Sequence, residues 1–259
     1  MKRLIFPLAA LILANCASPS PPNDKEFDES RVELPLWDEE VALMAHITDT
    51  SDHVLFLNVH EDETTSISAL RKYAKNHDIN YLYLTHTGER RIEYTIDGEH
   101  YSTDPNRMFT NQGRKKTLED GENYNVTADL ALKDFANRFL NEIKDAEVIV
   151  AMHNNTDENY SIQSYLPEGD EAQNTDKLFI NPEMDPDDFI YTTDAEIYAA
   201  LMIKKINVIL QDNENFVDDG SLSVYCGMNN IRYINIETQH DHLKQQLKFM
   251  ELILSIVRE

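Results

Sequence analysis

His60 and Glu63 stand three residues apart in the stretch Leu57-Asn58-Val59-His60-Glu61-Asp62-Glu63. The apolar run Val54–Val59 reads as a buried strand. From about Glu63 onward, Ile67, Leu70 and Ala74 fall on one face of a helix. A histidine that closes a strand and a glutamate that opens a helix can aim an imidazole nitrogen and a carboxylate at one point. Those are two of the three protein ligands of a catalytic zinc, whose fourth position is left for water. Glu61 and Asp62 are the neighbouring acids, but adjacent residues on an extended chain point away from the required side. The His-Glu-x-x-His pattern of another zinc class is absent.

Three later segments fall in a compatible order. Asp104-Pro105-Asn106-Arg107-Met108-Phe109 comes first. Val148–Met152 is an apolar strand that runs into His153-Asn154-Asn155-Thr156. Tyr233–Ile236 is a second such strand, ending in Glu237. Together with His60 and Glu63, these segments resemble the zinc metallocarboxypeptidase superfamily, and above all its aspartoacylase/succinylglutamate desuccinylase branch. The resemblance spans about residues 50–240 in motif order and spacing, without continuous identity.

The resemblance implies one zinc ion held by His60, Glu63 and His153, with Glu237 as general base. Asn106 and Arg107 would clamp a substrate carboxylate through a planar guanidinium and an amide. The family also uses an arginine upstream of this clamp to polarise the scissile carbonyl. Glu99 stands where that spacing points, which leaves Arg90 or Arg91 for the role. Tyr225 is a stand-in for the family's active-site tyrosine. The implied activity is hydrolysis of an amide or peptide bond next to a free carboxylate, on a small peptide. An N-acyl amino acid is the alternative substrate, and a catalytically inactive ligand-binding lipoprotein is the reading from a different class. The chain stops just after its last helix pattern, without the small β-domain of aspartoacylases, which implies a more open site and a larger substrate.

Around these residues, apolar runs and amphipathic patterns alternate. Strands are expected over 54–59, 81–85, 91–95, 147–152, 208–211 and 233–237, and helices over 63–77, 127–144, 194–205 and 241–257. Thr193 with Glu196 reads as a capping box for the third helix. Leu243, Leu247, Met250, Leu254 and Val257 form one stripe on the last helix. Strands apolar throughout are buried on both faces. The expected architecture is a single α/β domain, a mixed β-sheet sandwiched between helices as in zinc carboxypeptidases. The acidic stretches 154–176 and 212–220 read as loops, the first placed to wall the site. His240 and His242 read as a solvated first turn of the last helix.

The N-terminus, with Lys2, Arg3, the apolar run Leu4–Ala14 and Leu13-Ala14-Asn15-Cys16, resembles a bacterial lipoprotein signal. The expected organisation is a signal peptide over 1–15, a flexible tether over 16–38 anchored to lipid through Cys16, and the zinc hydrolase domain over 39–259. That places the protein on the bacterial cell envelope, facing the periplasm or the outside. Cys226 then has no partner and reads as a small buried apolar residue. The formal net charge of −24 argues against nucleic-acid binding, which needs lysine and arginine against phosphates.

Overall fold

Two strands, β3 (Val54–Asn58) and β7 (Val148–Asn155), are buried along their whole length and run parallel at the centre of a nine-stranded sheet. The structure is a computed structural model that describes residues 28–48, 53–156 and 160–258. In chain order the other elements are β1 (Ser30–Glu33), β2 (Ala42–His46), α1 (Thr64–Ala74), β4 (Asn80–Thr85), β5 (Ile92–Ile96), β6 (Glu99–Thr103), α2 (Asn111–Asp120) and α3 (Val126–Ile143). They continue with β8 (Thr175–Phe179), β9 (Phe189–Thr192), α4 (Ala195–Ile203), β10 (Val208–Gln211), α5 (Leu222–Met228), β11 (Arg232–Gln239) and α6 (Leu243–Val257).

The sheet order is β1-β2-β4-β3-β7-β11-β9-β10-β8. β4, β3, β7 and β11 are mutually parallel, and antiparallel pairings flank them on both sides. One face is covered by α2, α3, α5 and the β5–β6 ribbon, with Phe135, Phe139, Leu132 and Tyr101 in its core. The other face carries α1, α4 and α6 over Phe56, Val150, Ile234, Phe249 and Ile253. This is the expected mixed sheet between helix layers. The apolar-throughout strands are the central ones, because only strands covered on both faces need no polar alternation.

Three expectations need correction. Residues 30–36 fall inside the span expected as tether, yet β1 pairs with β2, and Leu34 and Leu36 are buried in the core. Their apolar side chains alternate with charged ones and gain from closing the sheet edge. Residues 16–27 of the expected tether, Cys16 among them, and the signal peptide lie outside the described residues. The α4 cap is Asp194, whose carboxylate accepts from the Glu196 and Ile197 amides (2.8 and 3.0 Å), because the Thr193 hydroxyl is spent on the Ile231 carbonyl (3.0 Å). The strand expected from Arg91 belongs not to the main sheet but to the β5–β6 ribbon. Cys226 is free and fully buried, as expected. Among the described residues no helix is long and apolar enough to cross a membrane.

Candidate metal centre and substrate pocket

β4, β3, β7 and β11 all point their carboxyl ends at one crevice, the usual ligand position in open α/β sheets. After β3, the Glu63 amide donates to the His60 carbonyl (3.1 Å), and this tight turn brings both side chains to the same side. Glu63 is the N-cap residue of α1, but its carboxylate does not cap the helix. It is spent instead on the site. One oxygen lies 2.8 Å from His60 Nδ1 and 2.8 Å from the Arg90 guanidinium. The other accepts from the Asn154 amide (3.1 Å) and lies 3.0 Å from His153 Nδ1. His153 arrives on β7. Glu237 sits beside it in register on β11.

The structure therefore brings together His60, Glu63 and His153, which are 0, 2 and 4 % exposed. One donor atom from each lies within 4.8 Å of the others, and the two Nδ1 atoms are 3.3 Å apart. His60 Nε2 donates to Asp104 (2.8 Å), which leaves Nδ1 as the nitrogen that can hold a proton or a metal ion, facing a carboxylate oxygen and a second imidazole nitrogen. Such a cluster of acceptors is stable only around a cation, either a proton or a metal ion. The tautomer-fixing carboxylate behind the histidine is the usual outer support of a metal ligand. Two imidazoles with one carboxylate suit zinc, and the residues present fit that group.

The electrostatics agree. Burial pushes the Glu63 carboxyl up, but the His153 and His60 imidazoles outweigh it and hold the group well below the usual range. Burial likewise opposes ionisation of Asp104, yet His60, Arg107 and Arg90 keep it low. Burial lowers the His60 pKa, and Glu63 and Asp104 raise it to about 9 in the metal-free cluster. Glu237 is different. Burial raises its carboxyl, the Glu63 charge adds to this, and the Asn235 amide (3.0 Å) and His153 only partly offset it. A carboxyl tuned upward beside a metal site is poised to take and return a proton.

The pocket around these residues holds about 510 Å³ and is lined by the trio, Glu237, Asn106, Arg107 and Arg90. Arg91 turns away to Ser102 and the Thr117 carbonyl, so of the two arginines left open by the sequence, Arg90 enters the site. Its guanidinium bridges Glu63 and Asp104 (2.8 and 3.5 Å). Glu61 orders the loop that carries it: the carboxylate accepts from the Thr85 hydroxyl and from the His86 and Gly88 amides (2.5 and 2.7 Å). Arg107 donates to the Asn106 carbonyl (2.8 Å) and pairs with Asp219 (3.4 Å). The Asn106 side-chain oxygen accepts from Leu222 N at the start of α5 (3.1 Å).

Tyr225 does not line the pocket. It packs on Phe109, and the pocket tyrosines are Tyr160, Tyr165, Tyr191 and Tyr233. The stretch 154–176, expected to wall the site, does so through Thr156, Tyr160, Tyr165, Glu171 and Asn174. His240 lies on the pocket rim, and His242 sits half-buried against Asp188 (3.2 Å) rather than in a solvated turn. The residues given no role from the sequence are Asp104, present in its motif, and the wall residues beyond the 154–176 stretch, among them Tyr191, Asp219 and Ser221.

No protein-family model matches the chain, and no curated protein sequence matches it. Solved structures do. A metallo-carboxypeptidase from Burkholderia cenocepacia superposes with a TM-score of 0.50 at 10 % identity, over 90 % of this chain and 66 % of that one. The chain has the metallocarboxypeptidase fold. Thrombin activatable fibrinolysis inhibitor is similar over 89 % of this chain and 70 % of its own (10 % identity, TM-score 0.45). A proposed succinylglutamate desuccinylase/aspartoacylase from Shewanella frigidimarina is similar over 88 and 70 % (11 % identity, TM-score 0.43). At these identities the likeness concerns the fold alone.

Proposed function

We propose that this protein is a zinc-dependent hydrolase that cleaves an amide or peptide bond next to a free carboxylate. The observation that carries the reading is the convergence of His60 Nδ1, His153 Nδ1 and the Glu63 carboxylate on one point, with Glu237 in register beside them. His60, Glu63 and His153 would hold the ion, with Asp104 fixing the His60 tautomer. When bound, zinc supplies Lewis acidity that makes a water a nucleophile near neutral pH. Glu237, its carboxyl raised by burial, takes the proton of the attacking water and returns it to the leaving amine. Arg107 and Asn106 receive the substrate carboxylate. Arg90, placed against Glu63 and Asp104, is the pocket cation nearest the trio and stabilises negative charge that develops on the scissile carbonyl oxygen.

The signal-like N-terminus supports a lipid-anchored position on the cell envelope, with Cys16 as the acylated residue. The test is to load the full chain with zinc, offer N-acylated dipeptides and N-acyl amino acids, and follow amine release with and without chelator. Release that stops on chelation and returns with zinc is the expected result. Turnover indifferent to chelator would overturn the reading.

A further inference from the structure

Both guanidiniums of the pocket are already engaged, Arg90 by Glu63 and Asp104, Arg107 by Asp219. The lining carboxylates outnumber them, since Asp62 and Glu171 line the same pocket as Glu63, Asp219 and Glu237. Glu171 accepts from the Asn174 amide (2.6 Å) and pairs with no lysine, arginine or histidine among the described residues. Its backbone amide binds the carbonyl of Ser164 (2.9 Å), the residue before Tyr165, and its charge acts on the Tyr165 hydroxyl. Tyr165 in turn lies 6.0 Å from Tyr160 and 5.5 Å from Tyr191, between ring centroids. Three electron-rich rings next to an acid form a surface that attracts cations.

A second observation points the same way. Asp62 Oδ1, Asn155 Oδ1 and Asn235 Oδ1 are buried oxygens of pocket residues without a hydrogen-bond partner. Asn155 is 6 % exposed. Its amide nitrogen is committed to the Asp187 carbonyl (2.7 Å), and that of Asn235 to Glu237 (3.0 Å), so both side-chain oxygens are fixed as acceptors. Buried acceptors are costly until a donor meets them. Even with a divalent ion on the trio, the five lining carboxylates exceed the positive charge of that ion and the two guanidiniums, and the buried acceptors lack donors.

We infer that the substrate carries a positively charged, donor-rich group, an ammonium or guanidinium, that enters the space walled by Tyr160, Tyr165, Tyr191 and Glu171. This rests on the hydrolase reading and chooses within it. A peptide with a basic residue fits the charge of the pocket, whereas an acyl amino acid with two carboxylates would meet uncompensated acids.

The experiment uses zinc-loaded full chain and three N-acylated dipeptides that differ only in a C-terminal arginine, leucine or glutamate. The expected order of kcat/KM is arginine over leucine over glutamate, with about tenfold or more between the extremes, a difference of about 1.4 kcal/mol. The gap should narrow at about 0.5 M NaCl, where charge attraction is screened. Glu171→Gln should lower the arginine-to-leucine ratio, with unchanged zinc content showing that the protein has folded. An active enzyme that treats the three alike, or prefers glutamate, overturns the inference. If none of the three is cleaved, calorimetry of zinc-loaded protein with L-arginine and L-glutamate decides. Binding of arginine alone keeps the subsite while the hydrolase reading falls, and binding of glutamate alone or of neither overturns the subsite.

Discussion

The metal end of the pocket and its outer end are made from different materials. His60, Glu63 and His153 come from strand ends and a helix cap, are almost wholly buried, and are cross-linked to Asp104, Arg90 and the Asn154 amide. Arg107, at the end of the short 3-10 helix Pro105–Arg107, and Asp219, in a loop, by contrast have 37 % of each side chain exposed and share one contact of 3.4 Å. A pair that open is worth little to stability. It can exchange Asp219 for a substrate carboxylate at small cost. The comparison separates a preorganised centre, where geometry must not yield, from a recognition wall, where partners must change.

The sharpest way to break this contrast is to disable chemistry without disturbing the centre. Glu237→Gln removes the proton acceptor but keeps shape and the Asn235 contact. A loss of about 10²–10⁴ in kcat is expected, with zinc stoichiometry unchanged. Turnover within a fewfold of the parent would remove Glu237 from the mechanism. Next in size is Asp104→Asn. The amide can no longer accept the His60 Nε2 proton with a full charge, and zinc affinity should fall about 10–100-fold, as read by competition with a chelator. Arg107→Ala, on the open wall, should instead raise KM and leave metal affinity alone.

A pH experiment follows from His60. Its pKa in the folded metal-free protein is raised to about 9, above the ordinary 6.5, so its contribution to stability is full below the unfolded value. That contribution is lost as pH rises through about 9. Zinc competes for the same Nδ1 lone pair, so binding must expel the proton, and affinity should climb between about pH 6.5 and 9 with proton release. Calorimetry in buffers of different ionisation enthalpy measures that release. A flat profile would mean that His60 is neutral before the metal arrives.

The centre was legible in the sequence because its signal is local. An apolar strand, a histidine, a three-residue step and a helical pattern suffice to place His60 and Glu63 on one side, and His153 and Glu237 close strands of the same kind. The wall was legible only in part, as the acidic stretch 154–176 that follows His153. Tyr160, Tyr165, Tyr191 and Asp219 are spread over some sixty residues of turns and short elements that meet only once β7, β9 and β10 are assembled. The choice between Arg90 and Arg91 was hidden for a related reason. Neighbours at a strand start face opposite ways, and only pairing of β5 with β6 commits Arg91 to Ser102. The helix α2 escaped because its buried face is polar, with Gly113, Arg114 and Thr117 beside a single leucine. Its available sign was Thr110, whose hydroxyl caps the Gly113 amide (3.0 Å). β1 was lost among charges for want of a visible partner.

Glu61 tests how far the rigid centre extends. It neighbours a proposed ligand, yet its carboxylate points the other way, onto Thr85 and the amides of His86 and Gly88. Those contacts fix the loop between β4 and β5, and the only pocket cation that the loop delivers is Arg90. Charge-assisted bonds of this kind contribute about 1.5–3 kcal/mol each, and glutamine would lose the charge and one acceptor oxygen. Glu61→Gln should therefore lower kcat/KM by about tenfold through a displaced Arg90, with zinc content intact. The double variant with Arg90→Ala should be no worse than Arg90→Ala alone, since the two changes act through one guanidinium. Additive losses would mean that Glu61 supports the His60 turn itself, and the rigid centre would then reach beyond the ligands on both sides.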